Sequence, residues 1–275
     1  MSPSKTWSSK KPASLNKLTL PGSVWLASDI HLGPHLPKTR AGFIQFLHNA
    51  AQQADALILL GDLFEVWTGD DIALQRPEPW LAEIMAALRN TGDRIPLYIG
   101  RGNRDFLIGR PFCRAVGAKL LPDTMLVTTD LGDVLISHGD EYCTDDKAYQ
   151  RFRRLVRLKW LQRLFLILGT RQREKLANYA RNRSRAHNQM KSADIMDVSQ
   201  KSVAQAFSAS HVRLMVHGHT HRPGTHETQQ NGLTRTRIVL PDWELDAATP
   251  RGGWLTIDGH EARLHDFVVD TDTPV

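Results

Sequence analysis

Residues able to bind a metal recur at the ends of apolar runs: Asp29 and His31 in "SDIHLG", Asp62 in "LLGD", Asn103 in "GRGNRD", His138 in "ISHGD", and His219 and His221 in "VHGHTHRP". Their side chains offer imidazole nitrogens, carboxylates and one amide oxygen, with no thiolate. That mixture suits Mn²⁺, Fe²⁺, Mg²⁺ or Zn²⁺, and the share of hard oxygen donors favours manganese. Seven donors are too many for one tetrahedral site. Two ions roughly 3.5 to 4 Å apart, sharing a carboxylate, would use them all and leave room for a water and a phosphoryl oxygen. On an extended segment His219 and His221 point the same way, as do Asp29 and His31, so each pair is expected to present two donors to one pocket. Taken singly, "DIH" or "GD" is weak, since Asp and His after a strand commonly cap a turn. The ordered set D-x-H, G-D, G-N-R-D, H-G-D, G-H-T-H is specific. His217 shares the side of His219 and His221 and is expected to support ligands rather than join them. His35, His48, His187, His211, His226, His260 and His265 read as surface or packing residues.

Five apolar runs deliver these clusters: "VWLASDIHLG", "ALILLGDLFEVW", "LYIGRGNRDF", "VLISHGDEY" and "RLMVHGHTHRP". They predict buried strands with helices between, such as Phe43 to Ala54 and Pro79 to Asn90, hence an α/β core. Ligands bind at strand ends in open α/β sheets, which gives the polar clusters one address. From Arg235 onward, "RTRIVLPDW" and "GGWLTIDGHEARLHDFVV" alternate like antiparallel strands, with a hairpin turn at Asp258 and Gly259. Residues 1–22, rich in Ser, Lys and Pro, predict a mobile tail. A chain of 275 residues, 41% hydrophobic, can bury a full core. Two cysteines, Cys113 and Cys143, are too few for a disulfide framework, and no signal-like apolar region follows the start, which favours a reducing, cytoplasmic setting.

The charge is concentrated. Residues 147–191 hold 14 Lys and Arg against the single acid Glu174, a net +13 within a chain of +6, which leaves −7 elsewhere. Within that segment Leu155, Leu158, Trp160, Leu161, Leu164, Phe165, Ile167 and Leu168 interleave with basic residues at helical spacing. The longest apolar run, Leu164 to Leu168, is far short of the roughly 20 residues that span a bilayer. The segment reads either as a helical subdomain with a solvated basic face or as a cationic, greasy surface for an anionic lipid or a nucleic acid.

The ordered ligand set resembles the calcineurin-like metallophosphoesterases over residues 23–258. "GDLFEVW", "GDD" at Gly69 to Asp71, "GNRDFLIG", "CTDD", "KSADIMDV" and "HGHTHRP" are most similar to the branch that hydrolyses UDP-2,3-diacylglucosamine in lipid A biosynthesis. The resemblance implies a four-layer α/β/β/α sandwich, with residues 23–146 and 192–275 as the core and residues 147–191 as a helical cap insertion. It implies two Mn²⁺ ions, one held by Asp29, His31, Asp62 and His221, the other by Asp62, Asn103, His138 and His219. Asn103, Arg104, Asp146, Ser184, Asn188, Lys191 and His219 would contact substrate. The implied partners are a lipid-linked nucleotide sugar and the anionic cytoplasmic face of the bacterial inner membrane, to which a monomer would bind peripherally; no nucleic acid is expected. Many relatives carry a histidine where this chain has Arg104. A guanidinium cannot donate a proton to an alkoxide, but an anhydride releases a phosphate with a second pKa of roughly 6, which leaves unprotonated once its charge is neutralised. Two alternatives stay open: a nuclease or other two-metal phosphodiesterase gripping nucleic acid through the basic segment, and a non-catalytic binding module. The segment's apolar stripe is aliphatic rather than aromatic and offers few stacking platforms, and all seven donor positions are filled.

Overall fold

The run Ala56–Leu60, "ALILL", is buried at every position because it lies mid-sheet with both faces covered. Leu57 and Leu59 face helices, while Ile58 and Leu60 face a second sheet. This pattern organises the whole computed structural model, which describes residues 15–188 and 197–268, without the side chains of residues 181–188.

In chain order the elements are β1 (Lys17–Thr19), β2 (Val24–Ala27), α1 (Pro37–Gln53), β3 (Ala56–Leu60), α2 (Asp71–Leu74), α3 (Pro79–Gly92), β4 (Leu97–Gly100), α4 (Arg110–Ala115), β5 (Ala118–Leu120), β6 (Thr124–Thr129) and β7 (Gly132–Ser137). There follow α5 (Lys147–Val156), α6 (Lys159–Ile167), α7 (Thr170–Asn188), α8 (Gln200–Ser210), β8 (Leu214–His217), β9 (Gly224–Gln230), β10 (Leu233–Val239), β11 (Gly253–Ile257) and β12 (Ala262–Asp266). One sheet runs β12-β11-β2-β3-β4-β5 and the other β1-β6-β7-β8-β10-β9. Val24, Leu26, Ile58 and Tyr98 meet Val127, Val134, Ile136, Val216 and Ile238 between the sheets. Phe43, Phe46, Leu47, Ile84, Leu88 and Phe112 cover the outer face of the first sheet, and Val203 and Phe207 cover Leu135 and Met215 on the outer face of the second. The result is an α/β fold of two sheets flanked by helices. Each fully buried Phe or Leu contributes about 1.5 to 3 kcal/mol of transfer free energy.

Three local expectations change. The tail boundary at residue 22 falls too late, because Lys17–Thr19 pairs in parallel with β6 and Leu20 is buried. Helix α1 starts at Pro37, six residues before the expected Phe43, since a proline's fixed φ and missing N–H suit a first turn. The expected strand from Arg235 is β10, which pairs antiparallel with the exposed edge strand β9 and in parallel with β8. The β9–β10 connection is Asn231-Gly232, with φ of 53° and 74°, the left-handed pair a two-residue hairpin needs. At the other hairpin, β11–β12, Asp258 accepts the amides of His260 and Glu261.

The basic segment forms α5, α6 and the described part of α7. Neither α5 nor α6 has a buried residue, and Phe152, Leu155, Trp160, Leu164 and Ile167 are exposed. No helix among the described residues is long and apolar enough to cross a membrane.

Candidate metal centre

The first sheet brings Asp29 and His31 (after β2), Asp62 (after β3) and Asn103 (after β4) to the same edge as His138 (after β7) and His219 and His221 (after β8) of the second sheet. The chain is not extended there, which corrects the expectation that strand alternation aligns each pair. Asp29, His31, Asp62, His219 and His221 all have left-handed backbones, with φ of 55°, 54°, 50°, 70° and 53°. That conformation costs roughly 1 to 2 kcal/mol per residue for a side chain with a Cβ, and its concentration here marks a functional edge. Backbone bonds hold it: Asp29 N–H donates to Gly61 O (3.1 Å), His31 N–H to Asp62 O (3.0 Å) and Trp243 N–H to Asp29 O (3.0 Å). Close approach also explains two glycines. A Cβ on Gly102 would strike Asp62 Oδ1, and one on Gly218 would strike Asp29 Oδ2.

Two groups of donor atoms lie within 4.8 Å of one another among the described residues: Asp29, His31 and His221; and Asp29, Asp62 and His138. Asp29 belongs to both. Asp62 Oδ2 stands 4.0 Å from His31 Nε2 and 3.7 Å from His138 Nε2. Asn103 Oδ1 lies 3.1 Å from His138 Nε2. His219 is outside both groups; its ring packs edge-on to His138 (5.1 Å) and stacks on Tyr149 (6.0 Å), and its N–H holds Asp29 Oδ2 at 2.9 Å.

This donor set fits a divalent cation. His31 Nδ1 faces Glu65 Oε2 and His221 Nδ1 faces Asp242 Oδ2, both at 3.3 Å, so a carboxylate stands behind each imidazole. The two Nε2 atoms lie 3.2 Å apart. His138 Nδ1 donates to Leu60 O (3.1 Å), and its Nε2 lies 3.1 Å from Asn103 Oδ1. Asp29 Oδ2 accepts from Ser28 Oγ (2.6 Å) and His219 N–H, while buried Oδ1 has no hydrogen bond. Burial works against the charge of Asp29, yet His221, whose Nε2 lies 3.5 Å from Oδ1, and the nearby charge of His138 hold its carboxyl well below the usual range. Burial lowers His138, but the charges of Asp62 and Asp29 outweigh it and raise the imidazole to about 9. Burial, then the charge of His138, lowers His219 to about 4.

Arg104 sits at the edge of the site. Its N–H donates to Asp62 Oδ1 (2.7 Å) and its guanidinium is 3.9 Å from Glu65. Asp146 is the N-cap of α5, accepting from Tyr149 N–H at 3.0 Å. His217 is wholly buried and supports the ligand loop through Gly218 O (2.8 Å); burial lowers it to about 3. Cys143 is buried and burial raises its thiol, in keeping with a packing role. Lys191 and the side chains of Ser184 and Asn188 lie outside the described residues.

Sequence reasoning did not single out three carboxylates. Glu65 and Asp242 orient two imidazoles. Asp105 accepts the amides of Asp62 (3.2 Å), Leu63 (2.7 Å) and Gly102 (2.7 Å), tying two ligand loops together. Burial, then the charge of Asp62, raises Asp105 to about 6. Their signal was acidic residues inside otherwise apolar or glycine-rich strings, "GDLFE", "GNRDF" and "LPDW", where an acid is seldom buried without a partner.

A family model of calcineurin-like phosphoesterases matches residues 22–223. The UDP-2,3-diacylglucosamine hydrolase of Bordetella parapertussis is 50% identical over 259 residues, covering 94% of this chain and 100% of that protein. The Serratia proteamaculans protein of the same name is 45% identical over 222 residues, 80% of this chain and 91% of its own length. Among solved structures, vacuolar protein sorting 29 of Cryptosporidium parvum aligns with 92% of this chain and 94% of its own, at a TM-score of 0.46 and 14% identity.

Proposed function

The chain belongs to the calcineurin-like phosphoesterase family, and on that footing we propose that it hydrolyses the diphosphate of UDP-2,3-diacylglucosamine, with water attacking the α-phosphate to give UMP and 2,3-diacylglucosamine 1-phosphate. The observation that carries this reading is 50% identity to a hydrolase of that name across 94% of the chain. The chain is thus a metal-dependent hydrolase whose site takes a divalent cation. The finer reading is two Mn²⁺ ions, one on Asp29, His31, Asp62 and His221, the other on Asp62, Asn103, His138 and His219. When bound, such ions acidify water and offset negative charge gathering on the phosphoryl oxygens.

The protein's own groups have separate tasks. Glu65 and Asp242 stand behind Nδ1 of His31 and of His221, so that both Nε2 atoms face the site. Ser28 Oγ and His219 N–H fix one oxygen of Asp29 and thereby aim the other. Arg104 stays charged at any working pH and neutralises the departing sugar phosphate, which leaves without a proton. Lys191 adds positive charge, Asp146, Ser184 and Asn188 orient the sugar and its acyl groups, and Asn103 and His219 touch the phosphate. Residues 17–146 and 192–275 act as the core, the first bound moved forward by the pairing of β1 with β6. Residues 147–191 act as a cap whose Trp160, Leu164 and Phe165 shelter acyl chains from water, while its cations hold a monomer to the anionic cytoplasmic face of the inner membrane.

The deciding experiment is hydrolysis of UDP-2,3-diacylglucosamine by the purified protein with and without Mn²⁺, with a nucleic acid and a simple phosphodiester alongside. Metal-dependent UMP release from the lipid substrate alone is expected. Activity confined to the other substrates would sink the proposal.

A further inference from the structure

We infer that Arg173 is a positioning residue for the lipid substrate, locking the first turn of α7 onto the loop Thr68–Asp71 and so setting where the far end of that helix stands. The inference rests on the proposed lipid substrate.

Arg173 is the one buried side chain described on the three helices α5, α6 and α7, at 2% exposure, and its neighbours Arg171, Gln172, Glu174 and Lys175 are exposed. An arginine is seldom so buried unless paired. Here Nη1 donates to Thr68 O (2.7 Å) and Asp71 Oδ1 (2.9 Å), and Nη2 donates to Asp71 Oδ2, a two-pronged fork. The bond from Arg173 also holds the Asp71 carboxyl below its usual range. Gly69, between the two acceptors, has φ of +143°, and a Cβ there would strike Nη1, so the loop is shaped to admit this guanidinium. The same loop is fastened to the site. Asp70 accepts from Trp67 Nε1 (3.1 Å), Gly109 N–H (3.0 Å) and Phe112 N–H (3.0 Å), and Trp67 N–H donates to Arg104 O (3.3 Å).

Asp71 is 33% exposed, and a half-buried ion pair of this kind adds little net stability, so its use here is to fix register. Helix α7 continues from Arg173 to Asn188, about 22 Å at 1.5 Å per residue, so a tilt of roughly 10° about the latch displaces the far end by about 4 Å. That end carries two of the proposed substrate contacts. Losing the latch therefore weakens ground-state binding of the lipid and leaves the metal edge intact.

The test compares the full-length protein with Arg173→Gln and Asp71→Asn, measuring KM, kcat, bound metal and hydrogen exchange along α7. In both variants KM for UDP-2,3-diacylglucosamine is expected to rise about tenfold, with kcat and metal content within about twofold, the pattern of lost uniform binding, and α7 exchanges faster than β3. Asp71→Asn keeps the bond to Thr68 O and carries the test if Arg173→Gln does not fold. An unchanged KM, or a fall in kcat and metal content at constant KM, would overturn the inference. A wild-type protein inactive on the lipid would instead remove the function reading on which it stands.

Discussion

Glu65 and Asp242 never touch the centre of the site, yet each faces the outer nitrogen of an inward-turned imidazole at 3.3 Å. Asp242 is itself gripped by Arg251, with bonds of 3.1, 3.1 and 2.8 Å, so its position is fixed from behind. Asp242→Asn, which loses the charge but keeps the shape, is expected to weaken metal binding about 10- to 100-fold, whereas Asp62→Ala removes a donor outright and should cost more. Equilibrium dialysis against Mn²⁺ ranks the two; equal affinities for Asp242→Asn and wild type would refute the orienting role. Asp29, His31, Asp62, His138 and His221, which the structure gathers into two groups, were legible from their residue types and order. Glu65, Asp105 and Asp242 were not, because an acid declares its role only through what it faces in space. The left-handed turns were hidden for a related reason: alternation describes an extended chain, and the donors begin where the strands end.

At the level of elements, the parallel strands could be read from their apolar runs, and Asn231-Gly232 was a hairpin signal that predicted β9 had it been weighed. Strand β9 itself, "GTHETQQ", has no apolar face to announce it. Contacts between elements carry a further expectation. After β7 the 3-10 turn Asp140–Tyr142 receives α5: Asp140 accepts from Tyr149 Oη (2.6 Å) and Arg153 Nε (2.7 Å), and Glu141 Oε2 lies 3.6 Å from Arg153. Burial, then the charge of Asp140, raises Glu141 from 4.5 to about 7. The folded protein therefore holds this proton more tightly than the unfolded chain does. The stabilisation from it is complete below pH 4.5 and lost as pH rises through about 7. Urea unfolding at pH 5 and pH 8 should show Glu141→Gln gaining on wild type at the higher pH; a constant difference between them would refute the shift.

For the whole molecule, the asymmetry of +13 in residues 147–191 against −7 elsewhere gives the protein an electrical polarity that few local contacts reveal. With Trp160, Leu164 and Ile167 exposed on α6, the basic side is expected to sediment with vesicles containing anionic lipid at low salt and to release as the Debye length shrinks to about 3 Å near 1 M salt. Equal retention by neutral vesicles would remove the electrostatic account. The donors also come from both sheets, and His31 and His221, 3.2 Å apart in space, are 190 positions apart in the chain. No short stretch of the unfolded polypeptide can assemble such a centre, so a cation cannot nucleate folding; it can only rivet two sheets that have already met. Stabilisation absent from the transition state slows unfolding and leaves folding untouched. Stopped-flow refolding rates should therefore be the same with Mn²⁺ or a chelator, while the metal-loaded protein comes apart more slowly.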